Sequence, residues 1–244
     1  MDMLKISELN KTYGKKQVLF DINLEINKGE FVGLIGNNGA GKTTLIKSIF
    51  GEIGLDSGSV TLNGEDVYKS GAISKMSFFP DSNSLRLNIN LIEYLDYISS
   101  LNGIENRKVK IDKIIELLKL TPYVNKKLNQ LSAGWKKRAI MAFCLINNPE
   151  IIIFDEPTAN LDIDSKIEFL RIIRFINDMG ITVVVTTHLI EELQNNINHL
   201  VILENGKIIY DDKFNIETES IKEIYSRKNN VEEIDLNELQ GLFK

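Results

Sequence analysis

Gly36-Asn37-Asn38-Gly39-Ala40-Gly41-Lys42-Thr43 fits G-x-x-x-x-G-K-[ST] at every fixed position, the pattern of a phosphate-binding loop. Each residue type has a physical task. Successive backbone N–H groups must converge on the phosphates, and glycine permits the positive-φ conformations this demands. The Lys42 ammonium can place a point charge on the β- and γ-phosphates, and the Thr43 hydroxyl can bind Mg2+. The flanks agree. Glu30-Phe31-Val32-Gly33-Leu34-Ile35 reads as a buried strand entering the loop. Thr44-Leu45-Ile46-Lys47-Ser48-Ile49-Phe50 reads as a helix leaving it, its positive dipole end towards the anion.

A chain of 244 residues holds one large α/β domain or two small lobes, and 43% apolar residues suffice for a sizeable core, which excludes global disorder. The balance of 29 basic and 34 acidic residues, net −5, speaks against a nucleic-acid partner bound through a general basic surface. Cys144, the only cysteine, sits in an apolar stretch and reads as a small core residue; no intrachain disulfide is possible. Met1-Asp2-Met3-Leu4-Lys5 lacks the apolar run of a signal peptide, and no run approaches the ~18 apolar residues of a membrane span. Work at a membrane therefore requires another subunit as anchor.

Leu4 to Leu24 alternates as two or three strands broken at Tyr13-Gly14-Lys15-Lys16, and Asp56-Ser57-Gly58 and Asn63-Gly64 bracket a hairpin strand over Ser59–Leu62. Ser74 to Phe79 is a further strand, stopped by Pro80. From Leu91 to Asn148 the apolar spacing turns helical, with Ile111, Ile114, Ile115, Leu117 and Leu118 repeating at helix spacing. Strands return at Ile151–Phe154, Ile181–Thr186 and Leu200–Leu203, with a helix between Ser165 and Met179. An α/β core is thus interrupted by a helical insert, and the last 30 or so residues read as a charged helical appendage.

A phosphate loop alone does not choose among kinase, GTPase and ATPase. Ile151-Ile152-Ile153-Phe154-Asp155-Glu156 narrows the choice: a buried strand ends in two carboxylates, where open α/β sheets bind ligands. The first can hold Mg2+ through water; the second can orient or deprotonate an attacking water. In Leu131-Ser132-Ala133-Gly134-Trp135, Ser132 suits a helix N-cap and Gly134 leaves a backbone N–H unobstructed, a second anion site at a helix start. A small-molecule kinase would leave the Asp155–Glu156 pair and this element without a role. No Asn-Lys-x-Asp guanine-reading motif occurs.

The order of phosphate loop, LSAGW, IIIFDEP and Thr187-His188 resembles the ATP-binding subunit of an ABC transporter over roughly residues 2–210. The resemblance implies a RecA-like P-loop core with an antiparallel β-subdomain (1–80 and 149–210), an α-helical subdomain with the signature motif (81–148) and a short appendage (211–244). It implies ATP and Mg2+ as ligands. Asn37, Asn38, Gly39, Ala40, Gly41, Lys42, Thr43 and Thr44 would hold the phosphates, Tyr13 would stack on adenine, and Thr43 and Asp155 would serve the metal. Glu156 matches the catalytic carboxylate, His188 the switch histidine and Asp162 the D-loop aspartate. Ser132 and Gly134 would meet the γ-phosphate held by a second copy in a head-to-tail dimer.

Two motifs depart from the family pattern. Ala133 and Trp135 replace the second Gly and the Gln of LSGGQ, and Asp81, in Phe79-Pro80-Asp81, stands where Gln or Glu is usual and is expected to reach the metal or the water. The implied function is ATP-driven transport through a separate membrane permease, with the chain on the cytoplasmic face of the membrane. Export is the reading favoured by the motif spacing, the short tail and the acidic Asp81. An importer subunit, or a soluble ATPase acting on ribosomes or DNA, is the alternative.

Overall fold

Alternation in Asp21-Ile22-Asn23-Leu24-Glu25-Ile26-Asn27 sends Ile22, Leu24 and Ile26 to one face of a strand and leaves the polar residues in solvent. In a computed structural model, which describes residues 2–81, 88–187 and 194–229, this stretch closes a long antiparallel hairpin of β1 (Asp2–Tyr13) and β2 (Lys16–Asn27). β3 (Phe31–Ile35) is buried throughout and leads through the phosphate loop into α1 (Lys42–Ile49). β4 (Ser57–Leu62) and the short β5 (Glu65–Asp66) complete a four-stranded antiparallel sheet of order β2-β1-β4-β5.

A second sheet carries the chemistry. β6 (Met76–Phe79), β7 (Ile151–Asp155), β8 (Thr182–Thr187), β9 (His199–Glu204) and β10 (Lys207–Lys213) join β3 in the order β10-β9-β3-β8-β7-β6. All pairings are parallel except β9 with β10, and the parallel strands are largely buried and rich in Val, Ile, Leu and Phe because both faces are covered. Alternation divides their side chains between two cores. Val32, Leu34, Ile151, Ile153 and Val184 pack with Leu45, Ile46 and Ile49 of α1 and with the antiparallel sheet. Phe31, Ile35, Ile152, Phe154, Val183 and Val185 pack on the other side, where Phe79 contacts Phe154 and Phe169 at ring-centroid separations of 5.3 and 5.4 Å.

Between β6 and β7 the chain forms α2 (Leu91–Leu101), α3 (Arg107–Leu117) and α4 (Ala133–Leu145), the helical insert expected from the spacing of Ile111, Ile114 and Ile115, all three buried. α5 (Ile163–Asp178) crosses from β7 to β8. At the C-terminal side, residue 210, where the sequence divides core from appendage, lies inside β10. The chain continues through buried Phe214 to α6 (Ile221–Asn229), whose Ile221 and Ile224 enter the same core as Phe31. Pairing of β10 with β9 outweighs the polar composition of Asp211-Asp212-Lys213, which reads locally as surface. No helix among the described residues is long and apolar enough to cross a membrane.

Two tertiary features are invisible in the linear sequence. At the turn between β9 and β10, the Gly206 N–H donates to Ala40 O at 2.9 Å, and Gly206 O accepts from the Phe20 N–H at 2.8 Å. A Cβ at Gly206 would lie 2.0 Å from Val18 O, so only glycine lets β2, the phosphate loop and this turn meet. The second feature is His199, 6% exposed, whose Nε2 lies 2.6 Å from Asp211 Oδ1 and whose Nδ1 lies 2.9 Å from Glu30 Oε2. Burial alone would push the imidazole down. The Asp211 and Glu30 carboxylates outweigh it and hold the pKa above the ordinary 6.5.

The sign follows from linkage. A raised folded-state pKa contributes stability that is complete below pH 6.5 and is lost as pH rises through the native value. Thermal unfolding of the parent chain is therefore expected to weaken above pH 6.5, whereas His199→Leu is expected to remove that slope and cost about 2 kcal/mol at the lower pH. A variant curve parallel to the parent's would exclude His199 as the group responsible.

Candidate nucleotide-binding site

The loop is shaped before any ligand arrives. Gly41 takes φ 111°, where a Cβ would lie 2.9 Å from Leu19 Cδ2, and it starts α1 without a side-chain cap or an acidic residue in the first turn. The first N–H groups of α1 are thereby left for an anion. Lys42 is buried with its Nζ donating to Gly36 O at 2.6 Å and Asn37 O at 3.2 Å. Burial pushes its pKa down, while the charges of Glu156 and Asp155 pull it up.

β7 ends on the two carboxylates. Asp155 Oδ1 accepts from Thr186 Oγ1 at 2.7 Å, and Oδ2 accepts from Thr43 Oγ1 at 3.4 Å. Burial raises the Asp155 pKa and the neighbouring Glu156 adds to it, against the Thr186 and Thr43 hydroxyls and Lys42. Strand alternation would send Glu156 to the opposite face of the sheet from Asp155. Instead Glu156 adopts φ 50°, and its N–H approaches Thr186 O and Thr186 Oγ1, both at 3.2 Å. Asp155 and Glu156 consequently line one cavity of about 460 Å3 together with Tyr13, Asn37, Asn38, Gly39, Gly41, Lys42, Thr43, Thr44 and Asp81. Ala40 lies behind the lining, its N–H on Asn37 O at 3.1 Å.

Tyr13 is 47% exposed at the cavity mouth, with Lys11 Nζ 5.6 Å from its ring centroid. The oxygens of Thr43, Asp155 and Asp81 are the hard donors Mg2+ selects. Among the described residues no group of three or more His, Cys, Asp or Glu forms a cage that could hold a metal.

Ser132, Gly134 and Asp162 do not line this cavity within one chain. Ser132 is the exposed N-cap of α4 and makes no side-chain capping bond. Gly134 lies against Ser165 and Leu161. Asp162 caps α5 by accepting from Ser165 N at 2.9 Å, which holds its carboxyl below the usual range. Trp135 packs within the helical lobe, its ring centroid 4.5 Å from that of Tyr123 at an interplanar angle of 37° and 4.8 Å from the Arg138 guanidinium. His188 lies outside the described residues. Cys144 is buried, and burial pushes its thiol pKa up, as a core residue requires.

Sequence reasoning missed three residues around the carboxylates. Thr186 holds both Asp155 and the Glu156 amide; a hydroxyl at the C-terminal end of a core strand was the available signal. Lys137 of α4 is fully buried and donates to Pro157 O at 2.5 Å. Arg138 bonds Glu168 of α5. Neither basic residue is distinguishable in sequence from a solvated helix face.

A family model described as ABC transporter matches residues 19–159. The chain is 31% identical over 217 residues to the Nod factor export ATP-binding protein I of Rhizobium etli, covering 87% of this chain and 69% of that protein. It is 32% identical over 211 residues to the linearmycin resistance ATP-binding protein of Bacillus subtilis, with 85% and 68% covered. Its fold matches, at TM-score 0.77 and 26% identity, the dimeric post-hydrolysis structure of an ATP-binding cassette bound to ADP and Pi, covering 87% of this chain and 99% of that one. The phosphate loop, the paired carboxylates and the helix that starts at Ser132 thus sit in a chain that belongs to the ABC transporter family, as an ATP-binding subunit that hydrolyses ATP.

Proposed function

We propose that the chain energises export through a separate membrane permease, at the cytoplasmic face of the membrane. The carrying observation is Asp81. It lines the nucleotide cavity and also a cleft of about 670 Å3 between the core and the helical insert, walled by Phe50, Phe78, Tyr94 and Phe143. A residue common to both spaces can relay nucleotide state to a permease segment seated in the cleft. In this reading residues 81–148 move as the helical lobe. The names of the Rhizobium relative, for export, and the Bacillus relative, for resistance, support the outward direction.

In that mechanism Asn37 to Thr44 and Lys42 bind the phosphates, Tyr13 packs on the base, Glu156 positions and deprotonates the attacking water, and His188 serves as the switch histidine. Thr43, Asp155 and Asp81 would hold Mg2+, which neutralises developing charge when bound. Two copies close head to tail on ATP, each offering Ser132 and Gly134 to the other's γ-phosphate, with Asp162 at the seam. The dimeric cassette with ADP and Pi supports the pairing of two copies. Hydrolysis dissolves the contact and reopens the pair.

The chain is expected to leave detergent-solubilised membranes bound to a polytopic membrane protein that accelerates its ATPase activity in lipid. In that reconstituted pair, Asp81→Ala is expected to lower the stimulated rate about fivefold or more while ATP affinity changes by less than about twofold. Asp81→Glu is expected to be tolerated. Proportional loss of binding and turnover would make Asp81 an ordinary nucleotide-site residue, and recovery with ribosomes or DNA would select the soluble reading.

A further inference from the structure

Lys137 is a fully buried lysine in the middle of α4, a place where an ammonium is costly unless hydrogen-bonded. Its Nζ donates to Pro157 O at 2.5 Å and lies 3.4 Å from Glu156 O. These are the carbonyls of the turn that follows β7, on which the Glu156 carboxylate depends. Glu156 reaches the cavity only because its backbone departs from the strand at φ 50°. That region is unfavourable for a side-chain-bearing residue and persists where the surroundings enforce it. On one side Thr186 holds the Glu156 N–H. On the other, Glu156 O accepts from Ala159 N at 3.2 Å. Lys137 adds the clamp that reaches this turn from the helical lobe.

We propose that Lys137 is a positioning residue for ATP hydrolysis, holding the Glu156–Pro157 backbone so that the Glu156 carboxylate faces the nucleotide. The proposal rests on the reading of Glu156 as the residue that activates water. It also makes α4 more than a bearer of Ser132. Lys137 lies one helical turn beyond the signature residues, so the helix that starts at the signature is fastened to the catalytic turn of its own chain, and Arg138 beside it ties the same helix to Glu168 of α5. A shift of α4 relative to the core would move Glu156 with it.

Lys137→Met keeps the unbranched side chain and removes the ammonium. In the full chain it is expected to lower kcat for ATP about 10- to 100-fold, with ATP affinity within about twofold of the parent. Lys137→Gln, which restores a shorter donor, is expected to fall between the two and serves as the test if the Met variant does not fold. The reading that separates positioning from bulk stability is the combination with Glu156→Gln. Once the carboxylate is gone, misplacing it costs nothing, so Lys137→Met is expected to change the residual single-turnover rate by less than about twofold. A folded Lys137→Met chain with parental kcat, or a loss that adds in full to that of Glu156→Gln, overturns the proposal and leaves the role of Glu156 standing. Normal turnover by Glu156→Gln alone would remove the catalytic reading itself, and this inference with it.

Discussion

Lys42→Ala is expected to weaken ATP binding by about a hundredfold or more, the equivalent of losing charge-assisted hydrogen bonds worth about 3 kcal/mol to a partly dry site. The reason is local. Lys42 is 7% exposed, and its ammonium is held by Gly36 O and Asn37 O at the floor of the phosphate loop. Phosphate oxygens entering the loop meet a cation already in place, so little ordering entropy remains to oppose binding. The loop itself should survive the substitution. Its shape depends on Gly41 and on the bond from Gly206 N to Ala40 O, neither of which involves the lysine side chain. Equilibrium binding of ATP, with circular dichroism to confirm the fold, checks the expectation. An unchanged dissociation constant would place the phosphates elsewhere.

Glu156→Gln is expected to lower turnover by about a hundredfold or more without loss of ATP affinity, and to accumulate an ATP-bound dimer. The amide keeps the size and loses the charge. The backbone bonds that fix the turn, from the Glu156 N–H to Thr186 and from Lys137 to Pro157 O, are indifferent to the change. Asp155 is separately held by Thr186 and Thr43, so the neighbouring carboxylate is expected to keep its place. With closure intact and hydrolysis blocked, size-exclusion chromatography in ATP should show a larger species absent in ADP. Parental hydrolysis by the variant would rule out Glu156 as the water-activating group.

The strand, loop and helix around Gly36–Thr43 were legible because a phosphate loop is defined by contiguous residues, each with a backbone or charge requirement of its own. The same holds for Asp155 and Glu156 at the end of an apolar strand and for the helical spacing between Leu91 and Asn148. Other features depend on separation in sequence. His199 meets Glu30 across 169 positions, and β10 becomes a strand only by pairing with β9. Lys137 illustrates a different limit. Between Lys136 and Arg138 it reads as one more solvated cation, and only the folded turn at Pro157 turns it inward. The positive φ at Glu156 was equally hidden, since nothing local marks a glutamate for the left-handed region.

The Gly206 junction has a thermodynamic consequence. Because one residue bonds β2 through Phe20 and the phosphate loop through Ala40, the antiparallel sheet and the parallel sheet share a seam at the point where nucleotide would bind. Fraying at that seam would release the edge of both sheets together, so neither behaves as an independent foldon. Nucleotide, by tightening the loop, then acts as a cross-sheet staple whose stabilisation spreads into strands that never touch it.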